Sequence, residues 1–428
     1  MIAISSLFEC PDAGQDVVSL RLNHSRLLNQ NQRDALEWYS RSVSAVRQGI
    51  ERGTVDPFVG LITCILFICI EALLGGMEEA LLLYGQGVQL ILACRAMTAT
   101  KTSLLKDTII PIFVRLGAVT LSAGVLVNSL LRETEHESTH EFGSLKSARE
   151  AIVILAIEIP LFESACEDYL IKSHAGCISQ ELMNQRRTLA TRLRSWHTAF
   201  TNMMESLDPS QVSTGALLLS YHEMLFIMLG VCISPSRITT DDYLQNFQTI
   251  VEQSSIALRG SARHDGTLPP FTFELSVGLP LWFTCVRCRE PTLRRTALAL
   301  LRQSHQVEGL YKRDIGATMG ESIMVLEEMY GTATNAALSS PFGMDFNFGA
   351  SPTKMETRPP AVLVPGEARI KPLGVFRPRD GYPPGTTEED MAELSRSRDQ
   401  TFLHFSRNER DPSNNTWQTI YGYAPIDF

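Results

Sequence analysis

The chain has no run of about 20 uninterrupted apolar residues, the length that a membrane-crossing helix needs. Its two longest apolar stretches fall short: residues 59–70 end at Glu71, and residues 216–233 carry His222 and Glu223 near their middle. Both are expected to be buried core helices. The opening MIAISSLFECPDAG has no basic segment ahead of its short apolar run, so it is not expected to act as an export signal. The sequons at Asn23 and Asn414 are then chance matches. An excess of positive charge is missing too: 38 Lys and Arg stand against 47 Asp and Glu, a net charge of −9 that disfavours direct binding to nucleic acid. The nine cysteines are scattered, and Cys64, Cys69 and Cys232 sit inside apolar helical runs. That placement suits buried thiols in a reducing compartment better than a disulfide framework.

Catalytic templates are scarce as well. There is no serine elbow and no glycine-rich phosphate loop, and Asp241-Asp242 lacks the third acid of a metal-diphosphate helix. His136-Glu137-Ser138-Thr139-His140 matches the zinc-peptidase spacing, in which two histidines one helical turn apart hold the metal and the glutamate activates water. Its setting is the polar run RETEHESTHEFGS, and Glu150, Glu158 and Glu163 offer no patterned third ligand, so an exposed inter-helix loop is expected. Cys285 and Cys288 lack a second ligand pair and read as buried thiols. No catalytic, cofactor-binding or metal-binding residue is assigned, and neither a cofactor nor turnover is expected.

What the chain does have is helical periodicity. Apolar residues recur at three- and four-residue steps over residues 31–52, 57–74, 77–94, 103–132, 144–159, 179–204, 214–233, 241–258, 273–287, 292–304 and 317–329. Gly75-Gly76, Pro160, Pro209 and Pro235 punctuate them. Leu182, Leu189, Leu193, Trp196, Phe200 and Met203 form one stripe that should face a core. Ala35, Leu36, Tyr39 and Val43 recur as Ala80, Leu81, Tyr84 and Val88 at a spacing of 45, as two stacked helical hairpins would leave. Arg287, Arg289, Arg294, Arg295 and Arg302 make the main basic concentration, expected to be a solvated face paired with local acids such as Glu290 and Glu308. From residue 331 to 361 the composition turns to Ala, Ser, Thr, Pro, Gly and Asn, which predicts a flexible linker interrupted by Phe342, Phe346 and Phe348. Residues 363–376 suit an extended piece, and the tail with Phe402, Phe405, Trp417 and Tyr421 should pack back on the helical body.

Residues 273–311 read as helix, turn and helix: a Pro-Leu-aromatic start, then Arg287-Cys288-Arg289-Glu290-Pro291, then an Arg-rich Ala-Leu-Leu helix ending in Glu308-Gly309-Leu310. This series resembles the C-terminal part of the regulatory (middle homology) domain of fungal binuclear zinc-cluster transcription factors. Residues 67–92, FICIEALLGGMEEALLLYGQGVQLIL, look like that family's leader hairpin, and Ile112-Phe113-Val114-Arg115-Leu116 is similar to the element after it. Phe142, Leu145, Ala148 and Arg149, then Leu193-Arg194-Ser195-Trp196, then Phe247, Ile250 and Val251 continue the family's order. Val364-Pro365-Gly366-Glu367-Ala368-Arg369-Ile370 looks like its closing element, so the resemblance covers about residues 28–375. Members ordinarily carry, ahead of this region, six closely spaced cysteines that hold two zinc ions and enter the major groove. Here only Cys10 precedes Cys64, so specific DNA binding is not carried over. Either the gene product is truncated, or the domain acts without its own DNA reader.

The resulting expectation is an all-α chain, a multi-helix array of stacked, roughly antiparallel hairpins. Residues 1–330 form a regulatory domain, 331–361 a poorly ordered linker, and 362–428 a short C-terminal segment partly packed on the helices. The resemblance implies a nuclear regulator acting through protein partners of the transcription machinery or a homodimer partner. A small-molecule effector in an interhelical pocket is compatible with it, and no membrane association is expected. A tetratricopeptide-like helical scaffold is the alternative, although that family needs about three repeats near 34 residues. A zinc hydrolase built on His136, Glu137 and His140 ranks behind both.

Overall fold

The computed structural model describes residues 3–4, 30–74, 76–97, 105–118, 121–131, 141–172, 178–233, 237–339, 364–411 and 416–426. Helix accounts for 73% of these residues, so the chain is mostly helical, with two small sheets that an all-α expectation does not include. The helices are α1 (Gln30–Glu51), α2 (Pro57–Leu73), α3 (Met77–Met97), α4 (Ile110–Ala118), α5 (Leu121–Leu131), α6 (Leu145–Lys172) and α7 (Gln180–Met204). They continue as α8 (Val212–Val231), α9 (Leu244–Ser261), α10 (Gly278–Arg287), α11 (Pro291–Leu301), α12 (Arg313–Ser339) and α13 (Glu388–Leu394).

Several ends follow local rules. Asp56 caps α2 through its side chain, with Pro57 in the first turn, where a missing N–H costs nothing. Ser179 caps α7 and Glu290 caps α11, the latter accepting from the backbone N–H groups of Thr292 and Leu293. Other ends overrule the punctuation read from sequence. Helix α6 runs through Pro160 to Lys172 instead of stopping there. An interior proline costs about 3 kcal/mol, but Ile157, Ile159, Phe162 and Cys166 on either side of it are all buried, and their packing offsets that loss. The change of composition at residue 331 does not stop α12, which reaches Ser339; Ala333, Ala336 and Ala337 are strong helix formers. Gly331 lies where Pro365 approaches so closely that a Cβ would stand 2.8 Å from its Cδ, which accounts for a glycine inside that helix. The remaining linker residues, 340–361, and with them Phe342, Phe346 and Phe348, fall outside the described residues.

The chain divides into two compact units. The first comprises residues 1–233, 252–280 and 303–313. Within it consecutive helices α2 with α3, α4 with α5, α5 with α6, α6 with α7 and α7 with α8 pack on each other, and α6 also meets α8. Helix α8 with its preceding turn is long and apolar enough to cross a membrane by length and composition, yet 67% of its most apolar 18 residues are buried, as in a core helix. Strand β1 (Phe271–Thr272) pairs parallel with β2 (Val307–Glu308), which turns at Gly309 into antiparallel β3 (Tyr311–Lys312). After this pairing α10 begins at Gly278, five residues after the periodic run begins. Of the expected stripe on α7, Leu189, Leu193, Trp196 and Phe200 are buried, and the Trp196 indole N–H donates to the Ala148 carbonyl at 2.8 Å. The 45-residue repeat is unequal in its surroundings: Val88 is fully buried, whereas Val43 is 39% exposed.

The second unit comprises residues 234–251, 281–302 and 314–428. Its sheet is an antiparallel meander of β4 (Ile370–Phe376), β5 (Thr401–Asp411) and β6 (Thr416–Ile426). One face buries Ile370, Leu403, Phe405, Ala424 and Ile426 against Val286, Ile323, Trp282 and Tyr330. Phe405 is covered on that face, Phe402 is buried on the opposite one against the Phe376 ring, and Tyr421 is 62% exposed.

Close approach decides one glycine in the first unit. A Cβ at Gly117 would overlap the Val127 side chain and the Tyr84 hydroxyl, which donates to the Phe113 carbonyl at 3.0 Å. Gly117→Ala should therefore destabilise the chain by about 1–3 kcal/mol, the usual cost of overpacking, and Tyr84→Phe by about 1 kcal/mol. Urea unfolding followed by circular dichroism measures both; an alanine variant as stable as wild type would show that α4 and α5 separate freely.

Candidate functional site

Three buried polar constellations stand out, and α10 and α11 carry the first. On α11 the buried residues are Pro291, Arg294, Ala297, Leu298 and Leu301, so Arg294 lies in the apolar stripe itself. Its guanidinium is fully buried: Nε donates to the Cys285 carbonyl at 2.9 Å and Nη1 lies 2.9 Å from the Glu327 carboxylate of α12. Arg369, just before β4, places its own Nη1 2.9 Å from the same carboxylate oxygen. The other carboxylate oxygen accepts the Ile370 backbone N–H at 3.0 Å. Two guanidinium groups against one carboxylate leave a surplus positive charge. Arg369 meets it by donating to the carbonyls of Val286, Arg287 and Cys288, at the C-terminal end of α10, where the helix carries partial negative charge. Burial lowers the Arg369 guanidinium to about 10, against the opposing pull of Glu327, so it stays charged at neutral pH.

The rest of the arginine cluster ranges from partly buried to exposed. Arg295 donates to both Glu328 oxygens at 2.6 and 2.7 Å, Arg289 pairs with Asp241 at 2.9 Å, Arg302 pairs with Glu321, and Arg287 stands over the Phe283 ring. The expected solvated face holds at Arg302, whose pair is exposed, and fails at Arg294, which is fully buried, and at Arg289 and Arg295, which are largely covered. The partners are Glu327, Glu328, Glu321 and Asp241, which lie far off in sequence, whereas Glu290 caps α11 and Glu308 is engaged elsewhere. Cys285 and Cys288 are both buried, with thiols pushed up to about 12 and about 11 chiefly by burial, so neither offers a thiolate near neutral pH.

The second constellation belongs to the first unit and centres on Glu308 of β2. Its carboxyl is fully buried and accepts the Gly278 N–H with both oxygens at 3.2 Å, at the N-terminus of α10, with Ser276 and Ser304 as further hydrogen-bond partners. A Cβ at residue 278 would stand 2.6 Å from the carboxylate, so glycine is required there. Burial raises Glu308 from 4.5 to about 7, with those hydrogen bonds and Arg313 acting in the opposite direction.

The third joins α7 and α8. His197 and His222 stack with ring centroids 4.3 Å apart, and the His222 Nδ1 lies 2.9 Å from Glu223 Oε1. One ligand-type atom from each of the three residues falls within 4.8 Å of the other two. His222 is buried, with the rings of Trp196 and Phe226 near-parallel to its own at 5.8 and 6.1 Å, and His197 is half-buried beside it. Burial, then the neighbouring His222, holds His197 below the ordinary imidazole value, with Glu223 opposing. Sequence reading used His222 and Glu223 only as interruptions of an apolar run and passed over His197. The usable signal was a histidine on each of two adjacent helices, one followed directly by a glutamate.

His136, Glu137 and His140 lie outside the described residues. Facing solvent, Thr191, Arg194, Ser195 and Thr198 of α7 line an open depression of about 320 Å³. No family model, curated protein or solved structure matches the chain.

Two outcomes follow from the buried charges. Glu327→Gln leaves two buried guanidinium groups uncompensated and should cost about 3–5 kcal/mol in urea unfolding, whereas Arg302→Gln, at an exposed pair, should cost under about 1 kcal/mol; equal losses would refute the difference. Because Glu308 titrates higher when folded, its stabilisation is complete below about 4.5 and is lost as pH rises to about 7. Over that window the chain should lose about 3 kcal/mol from this group, and Glu308→Gln should flatten the slope of unfolding free energy against pH; an unchanged slope would refute it.

Proposed function

We propose that this chain is a transcription-regulator-like protein that works through its helical body, by protein–protein contact in the nucleus, and not by turnover. The helices form stacked, roughly antiparallel hairpins, and partners are proteins of the transcription machinery or a second copy of the chain. A small-molecule effector is compatible with this role, and direct, specific DNA recognition is not part of it.

The observation that carries the reading is the ordered series of motifs, together with the meeting of two of them. Arg294 comes from the Arg-rich helix of residues 273–311 and Arg369 from the closing element of residues 364–370, and both pair with Glu327. Sequence elements 75 residues apart thus serve one buried charge network, which favours treating the stretch through β4 as a functional continuity. The mostly helical composition agrees with this. The scaffold alternative draws less support, since Val43 and Val88 occupy unequal positions.

Fusing the full chain to a heterologous DNA-binding domain in a fungal reporter strain tests the proposal. A severalfold rise or fall in reporter output relative to the DNA-binding domain alone is expected. Unchanged output from a fusion that is folded and nuclear would sink it.

A further inference from the structure

We propose that His197, His222 and Glu223 form a binding site for one zinc-type divalent ion that clamps α7 to α8. Two imidazole nitrogens and a carboxylate oxygen are the donor set that selects zinc and its late first-row neighbours over calcium or magnesium, which prefer all-oxygen shells. The distances are near what such an ion requires, and the His197 ring, stacked on His222 with planes 29° apart, must also tilt so that its in-plane lone pair meets the ion. Donor atoms around one tetrahedral ion stand about 3.3 Å apart, given metal–ligand bonds of about 2.0–2.1 Å. His222 Nδ1 and Glu223 Oε1 are 2.9 Å apart and must open by a few tenths of an ångström, while His197, within 4.8 Å, must close by about 1.5 Å. That closure falls on the half-buried member of the set, while the buried pair opens by only a few tenths of an ångström. His222 is 6% exposed and stacks near the buried Trp196 ring, a low-dielectric setting in which the attraction between ion and carboxylate is strong.

The competing account is a core histidine satisfied by its neighbour's carboxylate. It explains the His222–Glu223 contact but gives no reason for a second imidazole from another helix to converge on the same two groups. Three protein ligands leave a fourth position for water or a side chain of a partner. The ion site stands independently of the regulator reading, because it rests only on the α7–α8 geometry.

The test uses the full chain, stripped with a chelator and titrated with zinc against a chromophoric competitor, then loaded with cobalt(II) for optical spectra. One tight equivalent of zinc is expected, raising Tm by mass action. His197→Gln should weaken zinc binding by about 100-fold or more while leaving the metal-free circular dichroism unchanged, since a lost ligand costs at least as much as a lost outer partner. Glu223→Gln, which retains a hydrogen-bonding side chain beside His222, should do the same. A double His136→Gln, His140→Gln variant should bind zinc as wild type does, which separates this site from the His-Glu-x-x-His run. Visible cobalt bands without thiolate charge transfer would support nitrogen and oxygen ligation even if a variant failed to fold. Failure of wild type to bind zinc, retention of binding in His197→Gln, loss of binding in the His136/His140 variant, or a thiolate-type cobalt spectrum would each overturn the proposal.

Discussion

The second unit depends on a single buried carboxylate. Glu327 receives Arg294 from α11, Arg369 and the Ile370 N–H from the chain entering β4, and its own helix α12 supplies part of the hydrophobic face on which the sheet rests. A buried ion triad is seldom a net source of stability, because desolvating three charges costs several kcal/mol per ion. Its effect is on specificity: any arrangement that misplaces one partner leaves charge uncompensated in a dry interior. The first residues of β4 are thus tied to one place on α12, and the meander follows from them.

Both ends of α10 meet buried charge of the sign that their dipole prefers. Glu308 accepts the Gly278 N–H at the N-terminus, and Arg369 donates to the last carbonyls. In each case the side chain replaces water at backbone groups that a buried helix end would otherwise leave unsatisfied. The two differ in how they carry the cost of burial. Arg369 remains charged because Glu327 and the carbonyls of Val286, Arg287 and Cys288 surround it, whereas Glu308 is pushed up to about 7 and so exchanges its proton near neutrality.

How much of this was legible beforehand varies residue by residue. The α7 stripe, the α8 core helix and the breaks ahead of Met77 and at Pro209 were readable, because apolar spacing reports which face is buried and glycine and proline interrupt it. Arg294 was misread although its signal was present: at spacings of three, four and seven it aligns with Ala297, Leu298 and Leu301, the buried stripe. A charged residue in such a stripe is the mark of a buried partner, but periodicity names only the face and never the partner, which lies 33 residues away on α12. Pro160 shows the converse limit. Local rules place a break there, and burial on both sides removes it.

From the sequence alone came the helical class, the core faces and the family resemblance, since these depend on near-neighbour spacing and on the order of motifs along the chain. Tertiary structure alone decided that the arginines are paired, that the tail is a three-stranded sheet, that Glu308 is buried at a helix start, and that His197, His222 and Glu223 converge. The reason is physical: hydrophobic patterning is a property of short segments, whereas the free energy of a buried charge is set by groups that only folding brings within about 3 Å.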